Sequence, residues 1–331
     1  MPLMTCNEAM SQALAEEMRR DPRVLMFGEG VATKRQALAQ EFGKQRVRNT
    51  PLAEGIIAGT AVGAAATGLR PVIDLLFAPF LCFAMDELVN SAGKLRYMSG
   101  GQFSFPLVAI SMTGGGWTLG AQHSHNLEAW FVHSPGLKVV MPSCAADFKG
   151  LLKSAIRDDN PVMFFVDMTL GQVPGEVPEG EHLVPIGKAA VRREGSDVSI
   201  ISYSKTVNTC LSAAEQLAAQ GVSAEVIDLR SLKPLDEEAI LRTARKTGRV
   251  LVVHEASRMC AVGAEVSAII AEQAFEALKA PILRVTGPDV PVPSSHVLEQ
   301  AFMPRADAIA ASALKLLGKA SVAARAIARL G

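Results

Sequence analysis

The chain has 331 residues, of which 49% are hydrophobic, and this length exceeds the usual size of one hydrophobic core, so two packed domains are expected. Its 33 Lys and Arg side chains balance 33 Asp and Glu, which excludes the strongly basic surface that nucleic acid or an anionic membrane would require. Five cysteines without C-x-x-C spacing argue against a disulfide framework or a zinc site and favour a reducing compartment.

The N-terminal segment is typical of an amphipathic helix that carries acidic side chains, and it lacks the pattern of an export signal. The most apolar region, residues 55–85, is interrupted by Arg70, Pro71 and Asp74, whereas a membrane span needs about 20 uninterrupted apolar residues. We therefore expect a cytoplasmic protein that does not enter a membrane.

Apolar strands and helices alternate along the first half of the chain. Short apolar runs between loops predict buried strands, and longer segments between them predict helices. The predicted elements are the N-terminal helix, strands at 23–27, 71–77, 106–112 and 161–166, an apolar segment at 136–141, and helices at 51–67 and 145–158. This alternation predicts a parallel sheet covered by helices.

A second α/β unit follows residues 171–187, which concentrate Pro and Gly without apolar periodicity and are interpreted as the interdomain connection. Its predicted strands lie at 198–203, 223–228, 250–254 and 282–286, and its predicted helices at 205–219, 236–247 and 263–278. We predict an α/β protein with domains at residues 1–185 and 186–318, followed by a C-terminal tail at 319–331.

Glu54 is the only ionisable side chain between Arg48 and Arg70. Pro51 suits the first turn of a helix, and Thr50 can cap that helix with its hydroxyl. The glycines and alanines that follow let other backbones approach closely, so the helix is predicted to be buried. Glu54 is then either an ordinary first-turn acid favoured by the helix dipole or a desolvated acid that can hold and release a proton.

The loop at Gly114–His125 has the composition of a site, because three consecutive glycines, a Trp, His123 and His125 follow a predicted strand. The alternative is a turn with solvated histidines. A zinc site is disfavoured, since two alternating histidines supply only part of one and spacing identifies no third ligand. His254, which stands beside Glu255 at a strand end, is either functional or part of a domain interface, and it stays unassigned.

Several motifs occur in a fixed order along the chain, namely TPLAE, AGTAVGAAATGLRP, RYMSGG, GAQHSH, PGLKVVMPS, KSAIRDDNP, VIDLRSLKPLD and VTGPDVPVP. With these motifs, residues 4–317 resemble the beta subunits of thiamine-diphosphate-dependent 2-oxo acid dehydrogenases, especially the pyruvate and acetoin types. The resemblance implies a transketolase pyrimidine-binding domain and a transketolase C-terminal domain, each a mostly parallel sheet flanked by helices. It also implies an assembly of two alpha and two beta chains.

The resemblance assigns roles to residues at the predicted strand and helix ends. Glu54 is expected to contact the aminopyrimidine ring of thiamine diphosphate and to stabilise its imino tautomer, whose nitrogen removes the thiazolium C2 proton. Leu52 and Phe80 are expected to pack against the same ring. His123, within Gln-His-Ser, is expected to assist acyl transfer to lipoamide, because imidazole is suited to proton transfer near neutral pH.

Glu29 and Asp86 match acids of a proposed proton path between two active centres. Phe83, however, occupies a nearby position that is often polar in the family. The diphosphate and magnesium motif of the family, Gly-Asp-Gly followed by Asn, does not occur in this sequence and belongs to the alpha subunit. The resemblance therefore implies that Mg²⁺ is bound by the partner and that this chain carries half of an active site.

The segment at 154–161 matches a potassium site of some family members. The implied ligands are the backbone oxygens of Leu107 and Ala155 together with Asp158 and Asn160, and oxygen ligands suit this hard cation. The alternative is that Asp158 to Asn160 form an ordinary turn.

The predicted function is an enzyme subunit that, with its alpha partner, decarboxylates a 2-oxo acid or cleaves acetoin, makes a cofactor-bound carbanion and passes the acyl unit to a lipoyl-bearing acyltransferase. The alternative is a stand-alone carboligase of the same architecture. A non-catalytic subunit is disfavoured because Glu54 and His123 are both present. The region between Gly30 and Phe42 is shorter than usual in the family, and Trp117 is atypical, as are His125 and 294–296, so the acyl acceptor stays open.

Overall fold

The computed structural model describes residues 1–319, so the predicted tail lies outside the described residues except for Lys319. The strands are β1 (Leu3–Thr5), β2 (Val24–Glu29), β3 (Val47–Thr50), β4 (Arg70–Phe77), β5 (Val108–Thr113), β6 (Lys138–Val140), β7 (Val162–Asp167), β8 (Pro174–Glu176), β9 (Ala190–Arg193), β10 (Val198–Ser202), β11 (Ala224–Asp228), β12 (Ser231–Lys233), β13 (Val250–Ser257) and β14 (Leu283–Gly287).

The α-helices are α1 (Cys6–Arg20), α2 (Val31–Lys34), α3 (Gln36–Arg46), α4 (Glu54–Ala66), α5 (Leu95–Met98), α6 (Glu128–His133), α7 (Ala145–Arg157), α8 (Thr206–Ala218), α9 (Glu237–Thr247), α10 (Val262–Gln273), α11 (His296–Phe302) and α12 (Ala306–Leu316). A 3-10 helix at Ala78–Ala84 and a π-helix at Asp86–Ala92 follow β4, and a short 3-10 helix at Phe275–Ala277 follows α10. Within residues 1–319, no helix is both long and apolar enough to cross a membrane.

The chain divides into two compact units. The first comprises residues 1–187 and the short segment Ser231–Pro234, and the second comprises residues 188–230 and, among the described residues, 235–319. The sequence predicts one boundary, between residues 185 and 186. It does not predict that Ser231–Pro234 belongs to the first unit. That segment contains β12, which pairs with β6 along the edge of the first sheet.

The first unit is built on a seven-stranded sheet in the order β12-β6-β7-β5-β4-β2-β3. All neighbouring strands are parallel except β12 and β6. Every residue of β7 is buried, which explains its continuous apolar sequence, because a strand covered on both faces needs no polar alternation. The fold therefore confirms the predicted parallel sheet flanked by helices.

Helix α1 begins with a capping box that its sequence specifies. The Thr5 hydroxyl accepts a hydrogen bond from the Glu8 backbone N–H at 3.2 Å, and the Glu8 carboxylate accepts one from the Thr5 N–H at 2.8 Å. Apolar side chains of α1 and α7 then form one core with the inner face of the sheet, including Leu14, Met26 and Phe148.

The second unit has a five-stranded sheet in the order β14-β13-β10-β11-β9, in which only β9 is antiparallel to its neighbour. Helices α8 and α12 pack against it, and Val207, Leu217 and Ile309 are among the buried members of that core. The four predicted strands are present, and the sequence missed β9 because its four residues contain three polar or small side chains on a half-exposed edge.

Helix α4 differs from its prediction in two respects. It begins at Glu54 and not at Pro51, because Val47–Thr50 forms β3 and Thr50 is therefore extended, paired with Glu29 of β2. It is also not fully buried. Ile57, Ala58 and Ala61 face the core, whereas the opposite face is open and Ile56 is 73% exposed.

Candidate active site

The carboxyl ends of β2, β4 and β5 lie side by side, because these strands are neighbours and run parallel. Glu29 ends β2, Phe77 ends β4, and the glycine-rich loop at 114–126 follows β5. In open α/β sheets, ligands bind outside this edge of the sheet. Glu29 and the glycine-rich loop, both singled out in the sequence, therefore lie at the same edge of the sheet as Phe77.

Glu54 is the first residue of α4, and its side chain is partly buried. Within residues 1–319, the carboxylate has neither a hydrogen-bond nor an ion-pair partner. Gly55 allows the 3-10 segment to approach closely, because a Cβ at that position would lie 2.8 Å from the Phe83 carbonyl oxygen. Glu54 thus places an unpaired carboxylate where the helix dipole favours negative charge and where an external ligand can reach it.

His123 packs against two aromatic rings. The centroid of its imidazole lies 5.0 Å from that of Phe77 and 5.2 Å from that of Phe80, and both pairs are edge-to-face. Phe77 and Phe80 also contact each other, at 6.4 Å. The structure therefore brings His123 and Phe80 together, and both follow strand ends of one sheet.

The Leu52 residue is 68% exposed. Phe83, on the 3-10 helix Ala78–Ala84 that packs against α4, is 70% exposed. Exposed apolar side chains near a partly buried acid are unusual in a complete site, since such surface is normally covered by a ligand or another chain. The described residues of this chain therefore do not by themselves exclude water from the Glu54 carboxylate, as a desolvated acid would require.

Glu29 and Asp86 are not paired with each other. Glu29 forms an ion pair with Lys34 at 3.4 Å, and the Asp86 carboxylate accepts a hydrogen bond from the Asn90 side chain at 2.7 Å. Within a single chain these two acids therefore form local contacts, and their place in a proton path stays a prediction.

The predicted potassium ligands lie around the C-terminal end of α7. The Leu107 carbonyl accepts a hydrogen bond from the Val162 N–H at 2.8 Å, and the Ala155 carbonyl accepts one from the Asp158 N–H at 3.2 Å. Burial alone would raise the pKa of the Asp158 carboxyl, but hydrogen bonds from Lys138 and Asn160 hold it below its ordinary value.

Protein cations also approach this turn. Arg70 donates to the carbonyl oxygens of Ile156 and Asp158, at 3.0 and 3.1 Å, and Arg96 donates to the Asn160 side-chain oxygen at 2.9 Å. The oxygen atoms of this turn therefore attract positive charge, and Arg70 and Arg96 supply part of that charge.

The other two histidines considered in the sequence do not form a metal site. The pKa of His125 is lowered by partial burial, and its backbone carbonyl accepts a hydrogen bond from the Thr113 hydroxyl at 3.0 Å. His254 is fully buried in the second unit, where its ring stacks on Tyr203. In the described part of the chain, no cluster of three His, Cys, Asp or Glu side chains is suited to a metal ion.

Sequence reasoning missed Phe77 and Ser124. The sequence predicts Phe77 only as the last residue of a strand, and its contact with His123 depends on an irregularity of β4 for which the sequence carries no signal. Ser124 is fully buried beside His123, and its hydroxyl has no hydrogen-bond partner among residues 1–319. Its position within Gln-His-Ser was the available signal.

Comparison with known families supports both units. Residues 3–172 match the family model described as "Transketolase, pyrimidine binding domain", and residues 187–309 match the one described as "Transketolase, C-terminal domain". A solved structure described as a split gene transketolase, inactive beta4 tetramer, superposes with a TM-score of 0.82 at 26% identity, over 95% of this chain and 99% of that one.

Three curated relatives are similar over nearly the whole chain. The acetoin:2,6-dichlorophenolindophenol oxidoreductase subunit beta of Bacillus subtilis is 41% identical, over 96% of this chain and 98% of the relative. The 2-oxoisovalerate dehydrogenase subunit beta of the same organism is 43% identical, over 96% and 99%. The pyruvate dehydrogenase E1 component subunit beta of Rhizobium meliloti is 44% identical, over 92% and 68%.

Proposed function

The chain belongs to the beta subunits of the thiamine-diphosphate-dependent 2-oxo acid and acetoin dehydrogenases, and we propose that Glu54 and His123 are its catalytic residues in an active centre completed by an alpha subunit. Relatives named for pyruvate, acetoin and 2-oxoisovalerate are about equally similar to it, so the substrate class is a small 2-oxo acid or acetoin. The observation that carries the proposal is the unpaired, partly buried Glu54 carboxylate on a helix that packs against the segment of Phe80.

The residues present fit one half of the cofactor. Thiamine diphosphate, when bound, supplies the nucleophilic carbon that attacks the substrate carbonyl. An acid without an internal partner at a helix start can hold a proton against a ring nitrogen of the aminopyrimidine, and we assign this role to Glu54. Leu52 and Phe80 provide apolar side chains for the faces of that ring, and water is excluded once the open surface is covered.

The other half of the cofactor does not fit this chain. The sequence contains no glycine-rich phosphate-binding motif, and residues 1–319 contain no acidic cluster suited to Mg²⁺. We therefore assign the diphosphate and Mg²⁺ to the alpha subunit, in a tetramer of two alpha and two beta chains. Beta chains assembled alone should then be inactive.

We assign His123 a role in acyl transfer to a lipoyl domain. In that step one sulfur of the lipoyl disulfide would bond to the acyl carbon and the other would leave as a thiolate. The acyl carbon would give up its bond to the cofactor, so that the acyl unit is oxidised to a thioester and the disulfide is reduced. The departing thiolate needs a proton, and imidazole is a suitable donor near neutral pH. His123 lies on a loop at the open edge of the sheet, partly exposed, where an incoming domain can reach it.

Potassium is proposed as a structural cation at the C-terminal end of α7. The donor set consists of oxygens only, and each of the Leu107 and Ala155 carbonyls keeps a lone pair beyond its one backbone hydrogen bond. The negative end of the helix dipole adds to the attraction for a cation. A higher unfolding midpoint in KCl than in NaCl at equal ionic strength supports this site, and equal midpoints contradict it.

The catalytic assignments are tested on coexpressed alpha and beta chains. Glu54→Gln should slow hydrogen–deuterium exchange at the cofactor C2 by about 10²- to 10⁴-fold, the usual effect of losing a positioned acid. His123→Ala should lower acylation of a free lipoyl domain by on the order of 10²-fold while turnover with the dye 2,6-dichlorophenolindophenol falls much less.

Two results would overturn these assignments. Wild-type C2 exchange in Glu54→Gln removes Glu54 from cofactor activation. Equal losses in the two His123→Ala assays mean that His123 supports cofactor chemistry in general. An enzyme that joins an acyl unit to an aldehyde but acylates no lipoyl domain would instead be a carboligase.

A further inference from the structure

Strand β4 contains a bulge directly before the aromatic cluster. In the pairing of β4 with β5, Asp74 lies opposite Ile110 and Phe77 lies opposite Met112. Strand β4 therefore has one more residue than β5 between these two pairs. The extra residue gives Leu76 a φ of 55°, which is uncommon for a residue other than glycine. Bulges of this kind re-aim side chains, and they occur often beside active sites.

Neighbouring groups hold this strained backbone in place. The Leu76 N–H donates to the Asp74 carboxylate at 3.1 Å, and the buried Ser111 hydroxyl donates to the Leu76 carbonyl at 3.3 Å. Gly28 of β2 lies opposite Asp74, and a Cβ at Gly28 would lie only 2.3 Å from the Asp74 carbonyl oxygen. The bulge is therefore held by hydrogen bonds from within β4 and from β5, and Gly28 leaves the space that the backbone of Asp74 occupies beside β2.

The consequence of the bulge is the orientation of Phe77, and through it that of His123. Within the described residues the His123 imidazole makes no hydrogen bond, so its side-chain contacts of defined geometry are the rings of Phe77 and Phe80. Phe80 is already assigned to the cofactor ring. Phe77 meets His123 at an interplanar angle of 82° and thus forms one wall against which the imidazole rests.

We infer that Phe77, aimed by the Asp74–Phe77 bulge, is the positioning residue for His123. This inference rests on the proposed role of His123 in acyl transfer. A proton donor must be held within a fraction of an ångström of its productive position, and a misplacement of about 1 Å can cost on the order of 10²-fold in rate. Phe77 supplies that restraint without touching the transferred proton.

The test uses the coexpressed enzyme and whichever of pyruvate, acetoin or 2-oxoisovalerate gives the fastest dye reduction. Phe77→Leu removes the ring and keeps an apolar side chain, Phe77→Tyr keeps the ring, and Phe275→Leu changes an exposed Phe of the second unit as a control. Phe77→Leu should lower kcat for lipoyl-domain acylation by about 10- to 10²-fold, with KM for that domain and dye-linked turnover nearly unchanged. Phe77→Tyr should acylate the lipoyl domain at close to the wild-type rate.

The bulge itself is tested by a second pair of variants. Asp74→Ala removes the acceptor of the Leu76 N–H and should lower acylation in the same selective way, whereas Asp74→Asn keeps an acceptor oxygen and should not. Equal losses in acylation and in dye-linked turnover, or a changed KM for the small substrate, would overturn the positioning role in favour of a structural or substrate-binding one.

A measurement without any acceptor makes the inference independent of the lipoyl assay. With ¹³C-labelled histidine in the holoenzyme, the His123 ring signal is identified by its loss in His123→Ala. It should broaden or split in Phe77→Leu, because the imidazole is no longer held in one orientation, and stay single in Phe77→Tyr and Phe275→Leu; a single sharp signal in Phe77→Leu would overturn the inference. If His123→Ala leaves acylation intact, the proposed function of His123 fails. If His123→Ala impairs acylation but Phe77→Leu does not, only the positioning role fails.

Discussion

His254 and His123 both stand near the carboxyl ends of parallel strands, yet their surroundings differ completely. The His254 ring lies 5.8 Å from that of Tyr203 at an interplanar angle of 19°, and its Nδ1–H donates to the Ala256 carbonyl at 3.1 Å. Burial lowers its pKa to about 4. His254 is therefore neutral at pH 7 and part of a core, whereas the partly exposed His123 is open to a reactant.

The buried His254 makes stability depend on pH in a defined window. Between its ordinary pKa of 6.5 and the folded value of about 4, the unfolded chain binds a proton that the folded chain does not. Stability rises with pH wherever the unfolded state binds more protons, so it should fall on acidification from pH 6.5 to 4. His254→Asn, which keeps a donor for the Ala256 carbonyl, should flatten this part of the curve.

Urea unfolding at half-unit pH steps measures this effect. The control is His296→Asn, since His296 is exposed and its replacement should leave the slope as it is in the wild type. Below pH 4 both variants should lose stability together, because Asp21 and Glu181, each with a pKa held at about 2, become protonated there. An unchanged slope between pH 6.5 and 4 in His254→Asn would show that His254 does not titrate there.

Helices α1 and α7 are joined by charged groups as well as by their apolar faces. Glu17 is fully buried, and its two carboxylate oxygens share the single Arg157 Nε–H at 3.1 and 3.0 Å, while one of them also accepts a hydrogen bond from Nη2 at 2.6 Å. Arg20 pairs with the same carboxylate at 2.7 Å. A carboxylate can remain buried only with such partners, so this pair fixes how the two helices meet.

Arg157→Leu should destabilise the isolated chain by about 3 kcal/mol, because removing one partner of a buried ion pair leaves the other desolvated and poorly compensated. Arg19→Leu is the matched control on α1, since Arg19 and its partner Glu41 are both solvent-exposed and exposed pairs contribute little. Urea unfolding of the two variants provides the comparison. Similar small losses in both would mean that water or Arg20 satisfies Glu17 when Arg157 is absent.

Elements with a continuous apolar sequence were predictable, and elements held by their neighbours were not. The run at 161–166 predicts β7, which is observed at Val162–Asp167, because burial on both faces requires such a sequence. The sequence VRNT at 47–50 carries no such signal, and it is a strand only because β2 offers an edge for pairing. The contact of Phe77 with His123 could not be predicted for a similar reason, because the bulge before Phe77 depends on how β4 pairs with β5.

The described chain presents a site that is open on one side. Glu54, the contacting rings of Phe77, Phe80 and His123, and the exposed side chains of Leu52 and Ile56 lie on the first unit, which has its own buried apolar core. The small residues on the open face of α4, among them Gly63, allow another backbone to approach, and a Cβ at Gly63 would meet nothing within 4 Å. These features together fit a chain that requires a partner for a closed, dry cofactor site.

The isolated beta chain should therefore bind thiamine diphosphate with Mg²⁺ at least about 10²-fold more weakly than the coexpressed alpha–beta assembly. The aminopyrimidine half finds Glu54 and its apolar neighbours, but the diphosphate charge finds no metal ligands and no anion-binding loop in this sequence. Calorimetric titration of both preparations measures the difference, with thiamine lacking the diphosphate as a control whose binding should differ less. Micromolar affinity of the isolated chain for the Mg²⁺ complex would contradict this division of the site, since it would require the diphosphate to be held by residues of the beta chain alone.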